Sequence, residues 1–222
     1  MKIEVVGRTN TDIDAITAHM SVDARSTDME DLIEFAGRAC YQSFNKPNSS
    51  TRLNADYIAN IIAQKHESVL EHSSVSFYVQ GVSRNMLLEL ERHRHLSFSV
   101  ISTRFVSMED AMVVVPVPMR VDEDEVMETL DPEVAKNYRS MVEGLQGEGY
   151  SRKQAREAAR YLLPGNLETK FVVTGNLRAW RDVLKKRYSV HADAEIRLFA
   201  SAVLELLRKE APSVFADITL EE

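Results

Sequence analysis

Arg92, His93 and Arg94 occupy consecutive positions, Ser102 follows after seven residues, and Arg104 lies two further on. Guanidinium groups beside small hydroxyls are a donor set suited to phosphate, because the planar fork of N–H groups matches two phosphate oxygens at once. Upstream, Ser83 is a candidate helix cap, and Met86, Leu87 and Leu90 recur at helical period. The triplet is therefore expected at a helix C-terminus, where cations meet the negative pole of the dipole. Ser102 and Arg104 are expected to alternate along a short extended segment after a polar turn. Glu89 and Arg92 are also spaced for a plain i,i+3 surface pair, worth about 0.2–0.5 kcal/mol.

A second concentration of cations runs from Arg152 to Arg187, with ten basic and three acidic residues, so that a +7 segment sits in a chain of net charge −7. Such segregation fits a small phosphorylated ligand, and it also fits a solvated helical face. The acidic total argues against a nucleic-acid coat. Other chemistries find no support. There is no glycine-rich phosphate loop and no Gly-x-Ser-x-Gly elbow. His66, His72, His93, His95 and His191 come without a cysteine pair or a His-Glu-x-x-His, so no metal site is expected. Cys40, inside the apolar run Ala36–Tyr41, reads as an inert buried thiol.

The elements that must position these groups follow from periodicity. Lys2 to Gly7, Ser74 to Gln80 and Lys170 to Thr174 read as strands, with a short strand-like run at Val113 to Val117. Met29 to Phe44, Asn54 to Lys65 (capped by Ser50-Thr51), Pro132 to Leu145 and Arg152 to Leu163 read as helices, and Gly175-Asn176 introduces another. Ile196, Phe199, Ala200, Val203 and Leu207 form the apolar stripe of a closing helix ended by Pro212, whereas Thr11 to Asp23 reads as loop. Asp122 to Glu125 and the C-terminal Leu-Glu-Glu read as solubilising segments. With 222 residues, 44% of them hydrophobic, and neither repeat nor linker, the expectation is one α+β domain over 1–222, with long helices packed on a small, mainly antiparallel sheet. No apolar window approaches the roughly 18 residues of a membrane span. The N-terminus lacks a signal-peptide core, and a lone cysteine gives no sign of an oxidising compartment, so a cytoplasmic protein is expected.

Arg92-His93-Arg94 with Ser102 does not stand alone. Together with His66-Glu-Ser-Val-Leu-Glu-His72, Arg160-Tyr-Leu-Leu-Pro164, Asn176-Leu-Arg178 and Arg187-Tyr-Ser-Val-His191, which leads into Ala192 to Ile196, it resembles the flavin-dependent thymidylate synthase family over most of the chain. The resemblance implies conversion of dUMP to dTMP with FAD as cofactor and with 5,10-methylenetetrahydrofolate and NADPH as cosubstrates. It also implies a homotetramer with shared active sites. Carried over residue by residue, it assigns His66, Ser68, Glu71, Arg92, His93, Arg94, Asn176, Leu177, Arg178 and His191 to FAD. It assigns Glu89, Arg92, Ser102, Thr103, Arg104, Arg160 and Arg187 to dUMP. Arg187 is the expected catalytic residue, a guanidinium that favours the ionised uracil ring; His191, four residues later, shares its helical face if the helix is unbroken. The other thymidylate synthase family attacks carbon 6 of uracil with a thiolate, whereas the resemblance implies hydride delivery from a reduced flavin, so Cys40 needs no catalytic role.

The chain departs from the family pattern at Val100, where relatives carry Glu or Gln, and at Phe105, where many carry Tyr. Val100 keeps open a related flavin-dependent pyrimidine nucleotide hydroxymethylase. The +7 segment keeps open a non-catalytic nucleotide-binding homologue.

Overall fold

The computed structural model describes residues 1–44, 48–122 and 126–220. Most of the acidic run expected as solubilising (123–125) and the final two glutamates lie outside the described residues. The strands are β1 (Lys2–Arg8), β2 (Ser74–Ser83), β3 (Leu96–Val100), β4 (Met112–Val114), β5 (Met127–Thr129) and β6 (Glu168–Asn176). The helices are α1 (Ile13–Thr17), α2 (Asp28–Tyr41), α3 (Asn54–Ala63), α4 (Arg84–Leu90), α5 (Pro132–Gly147), α6 (Arg152–Ala159), α7 (Leu177–Arg187) and α8 (Ala194–Glu210). A small antiparallel sheet of four strands, ordered β1-β2-β6-β3, is joined by a separate β4-β5 pair. The mixed α+β class expected from the sequence is the class observed.

The chain divides into two compact units. One comprises Met1–Lys2, Tyr78–Arg92 and Phe98–Val172; the other comprises Ile3–Phe77, His93–Ser97 and Val173–Glu222.

In the first unit, β4 and β5 pair antiparallel with Val113 opposite Glu128. The core gathers Met108, Val113, Leu130, Tyr138, Val142, Ala155, Ala159 and Leu167. Asp131 starts α5 by accepting the backbone N–H groups of Glu133 (2.8 Å) and Val134 (3.1 Å), with Pro132 at the first helical position. Ser151 and Gln154 form a capping box at the start of α6. Ala155 and Ala159, four apart, put the small, buried face of α6 against α5. Gly149 closes the intervening turn at φ +94°, a left-handed position that favours glycine.

The second unit is built around α7 and α8. Every residue of the predicted stripe, Ile196, Phe199, Ala200, Val203 and Leu207, is fully buried. Trp180 meets Phe77 edge-on at 5.0 Å and donates its indole N–H to the Val75 carbonyl at 3.3 Å. Arg181 is 1% exposed and grips both carboxylate oxygens of Asp217 at 2.6 and 2.7 Å, while also donating to the Val214 carbonyl. The buried face of α2 is polar as well as apolar: Glu34 pairs with Arg38 at 2.6 Å and accepts from Asn54 at 2.8 Å.

Several local expectations are corrected. The stretch read as loop contains α1, capped by Asp12, whose carboxylate accepts the Ala15 N–H at 3.1 Å. Ser50 and Thr51 do not cap α3; they belong to a 3-10 turn at Ser49–Thr51 that Asn48 caps, and Leu53 precedes α3 without a side-chain cap. Cys40 is exposed rather than buried, because α2 buries Glu30, Ile33, Glu34, Gly37 and Arg38 and its last turn emerges into solvent. Neither β3 nor β5 was legible, being short and mixed in polarity.

Candidate functional site

The predicted site residues fall into two clusters, one in each unit. In the first unit, α4 is capped by Ser83, whose hydroxyl accepts the Met86 N–H at 3.0 Å. The N–H groups of Arg84 and Asn85 bind the carbonyls of Leu167 and Gly165, both at 3.0 Å, which ties the start of α4 to the loop preceding β6. Beside this seam lies a pocket of about 340 Å³ lined by Arg84, Thr103, Arg160, Tyr161 and Leu163. Ser102 and Arg104 do not alternate on an extended segment as expected. Strand β3 stops at Val100, and the Ser102 carbonyl accepts from Phe105 (3.1 Å) and Val106 (3.0 Å) to close a turn. This turn is fastened to α6, because Arg104 pairs with Glu157 at 3.1 Å and Arg156 donates to the Phe105 carbonyl at 2.6 Å. At the end of α4, Glu89 and Arg92 form the i,i+3 pair at 3.4 Å.

Two guanidinium groups, a buried threonine hydroxyl and a tyrosine on a pocket of this volume suit a small phosphorylated ligand with a planar ring. Arg84 was missed from sequence, because the Ser83-Arg84 step reads only as a helix start. Tyr161 lay inside a recognised motif without a role.

In the second unit, a pocket of about 340 Å³ is lined by Glu71, His95, Asn176, Arg178, Ala179 and Asp182. Gly175 lets β6 run directly into α7: a Cβ there would stand 2.5 Å from the Leu96 side chain and 3.1 Å from the Trp180 indole nitrogen. Asn176 then caps α7 by accepting the Ala179 N–H at 2.8 Å, and Arg178 reaches Glu71 at 2.5 Å. Leu177 is fully buried, so its side chain belongs to the core, and its N–H is taken by the Ser73 carbonyl at 2.9 Å.

Below the pocket the triplet's histidine is engaged at both nitrogens. His93, 8% exposed, places Nδ1 3.3 Å from Asp182 and receives Arg187 Nε at Nε2, 3.0 Å away. A guanidinium nitrogen only donates, so Nε2 is the acceptor and Nδ1 carries the proton given to Asp182. Burial holds His93 below its ordinary value of 6.5; the Asp182 bond opposes this and the Arg187 charge adds to it. Burial works to raise Asp182, but Lys186, at 2.7 Å, and His93 outweigh it and hold the carboxyl below its ordinary 3.8.

The remaining predicted residues are more peripheral. His66 stacks on Tyr41 with ring centres 6.4 Å apart. Ser68 is exposed on the 3-10 turn Glu67–His72, and Arg94 is exposed beyond α4. His191 does not share a helical face with Arg187, because α7 ends at Arg187 and Tyr188 leaves the helix at φ −90°, ψ 59°. Much of the +7 segment is internally paired: Arg181 with Asp217, Lys185 with Glu67, Lys186 with Asp182 and Lys170 with Glu168. Among the described residues, no three His, Cys, Asp or Glu side chains gather as a metal site would need.

The family described as Thymidylate synthase complementing protein matches residues 22–213. The chain is 48% identical over 198 residues to the probable flavin-dependent thymidylate synthase of Mycobacterium phage L5, covering 86% of this chain and 81% of that one. To the corresponding protein of Mycobacterium phage D29 it is 44% identical over 230 aligned positions, covering 100% and 97%. To the flavin-dependent thymidylate synthase of Mycobacterium tuberculosis (strain ATCC 25618 / H37Rv) it is 48% identical over 195 residues, covering 84% and 78%. The fold superposes on that of Helicobacter pylori thymidylate synthase X, solved with FAD and dUMP, with a TM-score of 0.65, 23% identity and 98% of each chain covered. At that identity the structural likeness is one of fold.

Proposed function

Since the chain belongs to the flavin-dependent thymidylate synthase family, we propose that it converts dUMP to dTMP, with 5,10-methylenetetrahydrofolate as carbon donor, NADPH as reductant and FAD as cofactor. The observation that carries this reading is the pocket of Arg84, Thr103, Arg160 and Tyr161, whose cationic and hydroxyl donors suit a nucleoside monophosphate. Arg84, Arg160 and Arg104 answer the phosphate, Ser102 and Thr103 orient it, and Glu89 and Arg92 meet the nucleotide. Arg187 acts on the uracil: a guanidinium beside N3 and its carbonyl favours the ionised ring and so makes carbon 5 nucleophilic, an effect of about 3–4 kcal/mol in a dry site.

The second pocket fits FAD by its chemistry. The N-terminal turn of α7 offers backbone donors to a diphosphate, Asn176 and His95 add side-chain donors, and Arg178, which pairs with Glu71 in this structure, would turn from that carboxylate to the phosphates. Glu71, Ser68, His66 and the Arg92-His93-Arg94 triplet complete the set, with His191 approaching from its own turn; Leu177, buried and with its N–H given to the Ser73 carbonyl, serves by holding Asn176 and Arg178 in place. When bound and reduced, FAD supplies the hydride; the protein's part is to orient and to exclude water.

The whole chain 1–222 acts as one catalytic domain in the cytoplasm, a reading supported by a family match that spans parts of both units. Among the described residues no helix is long and apolar enough to cross a membrane. A homotetramer with shared sites is supported by exposed apolar side chains beside the nucleotide pocket, notably Tyr161, which is 85% exposed, and Phe105. No nucleic-acid partner is proposed.

The test is one reaction containing dUMP, methylenetetrahydrofolate, FAD and NADPH, with products resolved by mass. Appearance of dTMP is expected. Hydroxymethyl-dUMP as the sustained product would replace the reading with the hydroxymethylase that Val100 keeps open, and a protein that binds dUMP but no FAD would leave only the non-catalytic alternative.

A further inference from the structure

We propose that Asp182 is a positioning residue for Arg187, acting through His93: by taking the Nδ1 proton it holds the imidazole in the tautomer whose Nε2 lone pair accepts from Arg187 Nε. The distances of 3.3 and 3.0 Å put the three side chains in one hydrogen-bonded line. The alternative tautomer would turn an N–H of His93 toward an N–H of Arg187, and the guanidinium plane would lose its anchor. An anchored guanidinium presents its remaining N–H groups in a fixed direction, which is what a carbonyl and a ring nitrogen require of it. Lys186 is the second half of the device. Placed four residues after Asp182 on α7 and 2.7 Å from it, its ammonium keeps the carboxylate ionised and turned toward His93. His93 is thereby committed at both nitrogens, a stricter role than the cofactor contact its motif suggests.

The functional part rests on the thymidylate synthase reading; the tautomer does not. Nitrogen-15 histidine labelling of the full chain with FAD, with His93 assigned by loss of its signals in His93→Gln, reads which ring nitrogen is protonated. In the wild type Nδ1 is expected to carry the proton near neutral pH. Asp182→Ala is expected to shift His93 toward the Nε2–H tautomer and to lower kcat on the order of 10²-fold, with FAD absorbance retained. Asp182→Asn offers a neutral carbonyl acceptor, and its kcat and tautomer should move together, whichever way they go. The acid limb of its pH profile should shift to lower pH, because the carboxylate that favours imidazolium is gone while Lys186 and Arg187 remain, with His95, Arg178 and Glu71 as the other ionisable groups lining the pocket. The proposal is overturned if Asp182→Ala keeps the wild-type tautomer, if tautomer and kcat change independently, or if activity falls only because FAD no longer binds. A wild-type protein with the expected tautomer and no dTMP formation would instead refute the functional reading alone.

Discussion

His93 titrates where activity and stability are both exposed to pH. Its folded value lies below 6.5, so as pH falls the unfolded chain takes up the proton first. The stability from neutral, buried His93 is complete above 6.5 and is lost as pH falls through 6.5 toward the folded value. Over the lower part of that window the imidazole becomes a donor at Nε2 and releases Arg187. Turnover should therefore show an acid limb below 6.5, and a profile flat to well below that value would show that the contact is idle. Arg187→Ala should lower turnover by about 10²–10³-fold while the protein still folds, with a melt lowered only modestly because the buried His93 Nε2 loses its donor. Cys40→Ser should retain activity, because the thiol is exposed and touches neither pocket; complete loss with an intact fold would reopen a thiol mechanism. At this scale the motifs drew attention to Asn176, Arg178, His93 and Arg187, which the structure gathers in one cluster. The sequence was silent on Arg84 and Asp182, whose roles come from which neighbours the fold gives them.

At the scale of elements, α7 carries both aspects of the second cluster: its first turn lines the pocket and its last residue meets His93. Its placement depends on the direct passage from β6, which Gly175 permits. Gly175→Ala would push a methyl group into the Leu96 side chain and the Trp180 ring, both buried. Overpacking of this kind costs about 1–3 kcal/mol. In a chain of this length the melting temperature should fall by about 2–4 °C for each kcal/mol, with weaker FAD retention measured in parallel. A melt and flavin occupancy equal to wild type would show that Leu96 yields freely. The long helices were legible because an apolar stripe at period 3.6 is repeated several times, as in α8. The 3-10 turns, β3 and β5 were not, since three to six residues provide too few repeats to distinguish periods. The end of α7 at Arg187 was also invisible: Tyr188-Ser189-Val190 carries neither glycine nor proline.

For the whole molecule, net charge was the poorest guide. The +7 segment fitted either a focused site for a small phosphorylated ligand or a solvated helical face, yet several of its cations are spent on structure. Arg181 is the clearest case, buried within the second unit and gripping Asp217 near the C-terminus. The Arg181 hydrogen bonds hold Asp217 below its ordinary 3.8 against a burial effect that would raise it. A depressed carboxyl contributes stability above its unfolded value and loses it as pH falls through the folded one. Asp31 has the opposite sign. Burial raises it, helped by Glu34, Asp28 and Glu30 and opposed by Ser26, so its contribution is present below 3.8 and lost as pH rises through its folded value. Acid unfolding between pH 5 and 2, estimated as roughly the window in which such carboxylates titrate, should therefore be shallower than the Asp217 pair alone would make it. Asp217→Ala should destabilise the protein by about 3 kcal/mol at neutral pH, because it takes from the buried Arg181 its bidentate partner and leaves only the Val214 carbonyl and the more distant Glu67 carboxylate at 3.9 Å, and it should flatten the acid dependence as well. Urea melts at pH 7 and at about pH 3 separate the two effects: the wild-type midpoint falls between them, the part of the fall that belongs to His93 is common to both proteins, and the variant begins lower and changes less. Equal midpoints for variant and wild type at pH 7 would mean that water or the Val214 carbonyl suffices for Arg181, and that the pair is not what secures the C-terminal segment.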